Sequence, residues 1–263
     1  MLTRFFNSCK ISQMTTTPKP NFETPSPVAE NLSQKSLAAV FRRVLEILGA
    51  KLFVGLVLAI GALFFFGWLA DEVLEGATLQ FDNAVRGFVH GFASPLTTEA
   101  MRFLTFLGST VFLISLGLGV VAIFLFILRR RAAILFALTM CGAIVLDFSL
   151  KAGFQRTRPE PYFETPLPSS FSFPSGHALF SLCFYGVLAW LITTRINNRT
   201  AKILLWTAAS LLIFLIGLSR IYLGVHYPSD VVAGFAAAFV WLITVALCDK
   251  ILRKRTVIKE TNG

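Results

Sequence analysis

The stretch LFVGLVLAIGALFFFGWLA, residues 52–70, carries no charge over nineteen positions. Wound as a helix at 1.5 Å per residue, such a run is long enough to cross a bilayer core of about 30 Å. Five more runs follow, at about 106–128, 132–150, 178–194, 203–220 and 231–249. A chain with six segments of this kind has one destination, a membrane, and the reading is an all-α polytopic membrane protein with six transmembrane helices. Residues 71–105 (DEVLEGATLQFDNAVRGFVHGFASP and onward) are too polar to cross, and short amphipathic helices are expected there, between spans 1 and 2.

Composition agrees. Hydrophobic residues make up 55% of the 263 and charged ones only 14%, where a soluble domain carries roughly a quarter charged. The net charge of +10 would suggest nucleic acid in a soluble chain. Here the cations gather beside the apolar runs, which is the pattern of membrane orientation, and nucleic acid is set aside. The cysteines, Cys9, Cys141, Cys183 and Cys248, form no CxxC pair, and the last three sit inside apolar runs. They are read as packing residues, with neither disulfide nor metal site.

Three parts are expected: a disordered cytoplasmic tail over 1–35, rich in Thr, Pro and Ser; a six-helix membrane domain over 36–250; and a basic cytoplasmic tail over 251–263. Residues 36–51 have helical periodicity with basic residues and read as a helix on the cytoplasmic membrane surface. Arg42, Arg43 and Lys51, the triplet Arg129–Arg131, the group Arg195, Arg199 and Lys202, and the C-terminal Lys250, Arg253, Lys254, Arg255 and Lys259 all fall on one side of six spans. The positive-inside rule makes that side cytoplasmic. The connections after spans 1, 3 and 5 then face outward, the first opening with the acids Asp71, Glu72, Glu75 and Asp82.

Two of those outward connections hold an unusual set of polar residues. KAGFQRTRP begins the loop after span 3, with Lys151 and Arg158; FPSGH closes it, with Ser175, Gly176 and His177 leading into span 4. SRIYLGVHYPSD joins spans 5 and 6, with Arg220, His226 and Asp230. Lys151, Arg158 and Arg220 supply three positive charges, and guanidinium forks match phosphate oxygens. Ser175 sits at an N-cap position, and the free N–H groups of Gly176 and His177 would face an anion at the helix start. Glycine there admits close backbone approach. Such a site suits a phosphoryl group. Pro228 fits the first turn of span 6 and puts Asp230 one turn above His226. A carboxylate on one ring nitrogen fixes the tautomer and leaves the other nitrogen free to attack. His177 could protonate the leaving oxygen.

These three stretches resemble the KxxxxxxRP, PSGH and SRxxxxxHxxxD motifs of the type 2 phosphatidic acid phosphatase superfamily, in order and spacing, over residues 151–230. Vanadium haloperoxidases share the anion site. A looser likeness runs from about 80 to about 245. The resemblance implies that Lys151, Arg158, Ser175, Gly176 and Arg220 bind phosphate. It implies that His226 is the nucleophile and forms a phosphohistidine, with His177 as general acid and Asp230 as the orienting carboxylate. No metal or other cofactor is implied. The expected activity is that of a hydrolase at the outer face of the cell (inner) membrane, taking phosphate from a lipid phosphate or diphosphate. Undecaprenyl diphosphate is the first expectation, beside phosphatidylglycerol phosphate and phosphatidic acid. A phosphotransferase using the same nucleophile and a lipid phosphate transporter are the alternatives.

Three residues stand outside the motifs. Asp147, one turn before Lys151 within span 3, is expected to pair with it. His90 is assigned to an amphipathic surface helix. For Arg156, between two motif residues, the sequence leaves open whether it attracts anions or is simply solvated. The aromatic, proline-rich loop 160–173 is expected to wall one side of the site.

Overall fold

The computed structural model describes residues 39, 49–163 and 169–261. The expected tail 1–35 lies outside them, as does the expected surface helix 36–51 apart from residues 39 and 49–51. Among the described residues there are eight helices and no strand: α1 (Ala50–Leu74), α2 (Leu79–His90), α3 (Pro95–Leu107), α4 (Thr110–Phe126), α5 (Arg130–Phe154), α6 (Gly176–Thr193), α7 (Arg199–Tyr222) and α8 (Pro228–Thr261). Five of them, α1, α5, α6, α7 and α8, are each long and apolar enough to cross a membrane; α3 and α4, bent by 49° at the break between them, together make a sixth when taken as one span. The chain is a multi-pass membrane protein.

The expected second span, 106–128, is corrected by that bend. Residues 106 and 107 end α3, and the straight segment starts only at Thr110. Ser109 restarts the helix by accepting a hydrogen bond from the Phe112 N–H at 3.4 Å. The carbonyl of Leu107, released at the break, is taken by the Tyr185 hydroxyl at 2.9 Å. Gly108 is required at the corner, because a Cβ there would run into the Ile216 side chain. The other spans begin two to four residues before their expected bounds, and their ends differ more, from one residue short in α6 to twelve beyond in α8. Hydropathy locates the hydrocarbon, whereas caps end the helix: Asn198 starts α7 by accepting from the Ala201 N–H at 3.1 Å, and Gln155 ends α5 in the left-handed conformation, φ 48°. The α8 backbone stays helical through 251–261, where the basic tail was expected.

Helix α6 is the axis. Most of its residues are buried, among them Ala178, Leu179, Cys183, Phe184 and Val187, and it packs against α5, α7 and α8. Phe184 meets Phe136 of α5 edge-on at 5.2 Å. The peripheral helices turn large apolar side chains outward, such as Phe64 at 76% exposure and Phe126 at 88%. In a bilayer those faces meet lipid, so they carry no penalty.

At one end of this bundle α2 packs against α7 and α8, and α3 packs against α7. Ser94 and Thr97 form a reciprocal capping box at the start of α3, with Pro95 behind it. Thr97 and Thr98 also bond the Tyr222 hydroxyl at 2.9 and 2.8 Å, which ties α3 to the last turn of α7. Residues 155–163 and 169–175 and the turn 223–227 meet at this same end.

Candidate active site

The turn between α7 and α8 places the histidine. Gly224 takes φ 75°, and a Cβ there would fall within 2.7 Å of the Tyr162 backbone nitrogen, so the chain can reverse this tightly only with glycine. Pro228 then opens α8 as expected, and Asp230 in its first turn reaches back to His226. Nδ1 of His226 lies 3.2 Å from Oδ2 of Asp230. The same carboxylate accepts from the Tyr227 N–H at 2.9 Å and from the Ser172 hydroxyl. Both His226 and Asp230 are buried. A proton on Nδ1 therefore faces a carboxylate, and the Nε2 lone pair faces Nη1 of Arg158 at 3.0 Å. Burial lowers the His226 pKa to about 4, with Asp230 opposing the shift and Arg220 and Arg158 adding to it. At neutral pH the ring is uncharged and Nε2 is a base.

Behind Asp230 stands Arg156. Its Nη1 donates to Asp230 Oδ1 at 2.6 Å and to the Ser229 hydroxyl at 2.8 Å; its Nη2 donates to Asp82 Oδ2 at 2.9 Å and to Thr78 at 3.3 Å. Its guanidinium carbon sits 4.1 Å from the centre of the Tyr227 ring. Asp82 also accepts from the Ser229 N–H at 2.9 Å and from the Ser229 hydroxyl at 2.6 Å. Arg156, its side chain only 9% exposed, is thus a brace and no solvated loop charge. Asp82, grouped above with the acids of an outward flank, is completely buried. Arg86, one turn on, is buried as well and donates to the carbonyls of Glu160 at 2.7 Å and Gly224 at 3.2 Å. So α2 is no plain surface helix. His90 at its end is half-buried, stacked on Tyr162 at 4.0 Å.

On the other side of Nε2 is a cavity of about 480 Å³ whose walls include Lys151, Arg158, Gly176, His177, Arg220 and His226. The anticipated ion pair forms, with Lys151 Nζ 2.8 Å from Asp147 Oδ2. Arg158 is held by the loop: Nε donates to the Ser170 carbonyl at 2.8 Å, Nη1 to the Val225 carbonyl at 3.0 Å and Nη2 to the Ser170 hydroxyl at 3.1 Å. Burial lowers its pKa, against the pull of Asp230 and Asp147, and the group stays a cation. Arg220 donates through Nη1 to Thr105. Ser175 does occupy the N-cap of α6, but its hydroxyl makes no cap bond; its N–H donates to the Asp230 carbonyl at 2.9 Å. Among the described residues, Ser175 Oγ, Asp147 Oδ1 and Arg220 Nε are buried without a hydrogen-bond partner. At Gly176 a Cβ would lie 3.0 Å from both Lys151 Nζ and Asp147 Oδ1, so a side chain there would press on the ends of both groups.

The eight sequence-predicted residues converge on this one place. Six line the cavity, while Ser175 and Asp230 lie buried behind its wall. Ser169, Ser170 and Phe171 of the expected loop wall also line it; residues 164–168 of that loop are outside the described set. Sequence reasoning missed Asp82 and Ser172. Neither belongs to a motif, and Asp82 lies 69 residues before Lys151; the one available signal was a lone acid on a helix that was otherwise taken as solvated. Among the described residues no cluster of three or more His, Cys, Asp or Glu side chains is placed to hold a metal ion.

Residues 131–254 match the sequence profile of the PAP2 superfamily. The chain is similar to phosphatidylglycerophosphatase B of Bacillus subtilis, 29% identical over 191 residues, which cover 72% of this chain and 94% of that one. It is also similar to the undecaprenyl-diphosphatase of Sulfolobus acidocaldarius, 32% identical over 111 residues, covering 40% of this chain and 50% of the relative. The crystal structure of the Bacillus subtilis transmembrane PAP2-type phosphatidylglycerolphosphate phosphatase superposes with a TM-score of 0.68 at 29% identity, covering 73% of this chain and 96% of that one.

Proposed function

Because this chain belongs to the PAP2 superfamily and is a phosphatase of it, we propose that it removes phosphate from membrane lipids through a phosphohistidine on His226. The observation that carries this reading is the disposition of that ring: Nδ1 against a buried carboxylate and Nε2 turned to a cavity lined by cations. Nε2 attacks phosphorus as the bond from phosphorus to the lipid oxygen breaks, and His177 gives that oxygen its proton. Asp230 stabilises the imidazolium that results. Water then attacks the phosphohistidine and yields its proton to His177, the N–P bond breaks, and inorganic phosphate leaves. Lys151, Arg158, Arg220, the Ser175 hydroxyl and the N–H groups at the start of α6 bear the charge of the phosphoryl oxygens throughout. With a diphosphate the leaving group is the lipid monophosphate.

A lipid substrate suits the surroundings. Thr110, Phe148, Ala152 and Phe180 share the cavity with the cations, and Phe148 is 74% exposed on a membrane-spanning helix. A head group could sit at the span ends while its chains stay in the bilayer. The arginine-rich connections lie at the opposite end of the spans, so the positive-inside rule turns the site to the outer face of the inner membrane. Of the three lipids expected above, phosphatidylglycerol phosphate now takes first place, because the relative that aligns over most of this chain is named for it; undecaprenyl diphosphate follows. Phosphate release from both, from phosphatidic acid and from glucose 6-phosphate in detergent micelles tests this. The expected order of kcat/KM puts the lipids about a hundredfold or more above the sugar, since their apolar contacts are each worth about 0.8 kcal/mol per buried methylene. A sugar phosphate that outperforms all three lipids overturns the lipid reading.

A further inference from the structure

Asp230 has a charged neighbour besides the His226 ring, and that neighbour creates a problem. Arg156 lies 2.6 Å from its free oxygen, almost as buried as the carboxylate itself. A cation there offsets the charge that Asp230 must present to His226. It competes directly with the imidazolium formed when Nε2 bonds to phosphorus. In a buried site such a rival is poorly screened. Asp82 answers it. Its carboxylate holds the other terminal nitrogen of the same guanidinium at 2.9 Å and is completely buried. Two carboxylates and one guanidinium leave one net negative charge, the complement of one imidazolium.

Resting on the phosphohistidine reading above, we infer that Asp82 of α2 is a positioning residue for the phosphoryl transfer, acting through Arg156 to keep Asp230 aimed and negatively charged beside His226. The guanidinium is planar and its two terminal nitrogens are fixed relative to one another, so the place of Asp82 sets the place of Asp230. Ser229 reinforces the arrangement: its N–H and hydroxyl donate to Asp82, and its hydroxyl accepts from Arg156. Asp82 thereby also caps the first turn of α8 from another helix. A cap alone would be a structural role, so the test must separate the two.

The test uses Asp82→Asn, Arg156→Gln and the double variant D82N/R156Q, with the full-length protein in micelles and a phosphatidylglycerol phosphate substrate. Rapid-quench single turnovers read phosphoenzyme formation, and steady-state assays read KM. Asp82→Asn leaves no net charge in the trio and Arg156→Gln leaves two negative ones. Each should slow phosphoenzyme formation by about 10–100-fold, the size of a lost charge-assisted hydrogen bond, with KM within about twofold. The double variant restores a single negative charge and should be faster than either single one. Additive losses, an effect on KM alone, or wild-type phosphoenzyme formation in Asp82→Asn overturns the inference. Should Asp82→Asn fail to fold, Ser229→Ala decides by the same split: a slower phosphorylation step at unchanged KM is expected, and an unchanged step overturns the inference. If wild-type protein gives no phosphoenzyme, or His226→Ala still gives it, the phosphohistidine reading falls and takes this inference with it. A His226-dependent phosphoenzyme that is indifferent to Asp82 overturns the inference alone.

Discussion

The Asp230 carboxylate has four hydrogen-bonding partners, His226, Tyr227, Ser172 and Arg156, and the groups that hold Arg156 are themselves held. Among the groups assigned to phosphate, Lys151 and Arg158 are held in a similar way, but two others are not. Ser175 Oγ and Arg220 Nε are buried with no partner among the described residues, and so is Asp147 Oδ1 beside Lys151. Each such atom costs the folded protein about 1–3 kcal/mol. One side of the cavity is therefore finished in the free protein, and the other retains two donors, Ser175 Oγ and Arg220 Nε, that an anion would satisfy. The nucleophile needs one orientation at all times, whereas the phosphate pocket must bind, release and rebind. The stability of the first region and the activity of the second should therefore respond in opposite ways to mutation.

The largest effect is expected at the finished side. Asp230→Asn keeps the shape but removes the charge facing Nδ1 and can leave the ring in the wrong tautomer. A fall of about 10⁴ in kcat is expected by analogy with other oriented histidines, with substrate binding little changed. Steady-state kinetics on the purified variant checks it. A loss confined to KM would show that Asp230 belongs to the binding side.

Next comes a pair of arginines, one from each side. Arg156→Met strands two buried carboxylates, and breaking a buried pair in this way costs about 3–5 kcal/mol. Its thermal midpoint should fall by many degrees. Arg220→Met removes a cation whose Nε has no partner among the described residues and loses with it one bond, from Nη1 to Thr105, so the midpoint should change little, while kcat/KM drops about 10²–10³-fold as a transition-state donor is lost. Thermal unfolding and kinetics on both proteins decide the matter. If Arg220→Met loses as much stability as Arg156→Met, the contrast between the two sides is wrong.

How much of this the sequence carried follows the same division. Lys151, Arg158, Gly176, His177, Arg220, His226 and Asp230 stand at motif spacing beside membrane-length runs, and local helix geometry was enough to bring Asp230 to His226. The bend at Gly108–Ser109 was not legible, because apolar residues flank Gly108, Ser109 and Thr110 on both sides and only contacts with distant residues, Ile216 and His177, require the glycine. Nor was the brace. Arg156 and Asp82 are 74 positions apart, and a charged residue in a polar loop or on an amphipathic helix reads as solvated until a second element covers it. Ser172 is one of four serines between 169 and 175, and nothing local marks it as the one that reaches Asp230.

The smallest effect, and the sharpest test of the unfinished side, is Ser175→Ala. Replacing an N-cap serine by alanine ordinarily costs about 1 kcal/mol, because the hydroxyl holds a backbone N–H of the first turn. Ser175 occupies the N-cap of α6, yet its hydroxyl accepts from no such N–H and is buried without a partner among the described residues. The variant removes an unsatisfied atom and should unfold at the same temperature as the parent or slightly above it. If the hydroxyl is kept for a phosphoryl oxygen, kcat/KM should nevertheless fall about tenfold, the equivalent of one hydrogen bond to a charged group. A structural cap would give the reverse pattern, lower stability at unchanged kcat/KM, and would move Ser175 from the binding side to the scaffold. Calorimetry and phosphate-release kinetics on the same preparation distinguish the two, because the signs are opposite in both measurements.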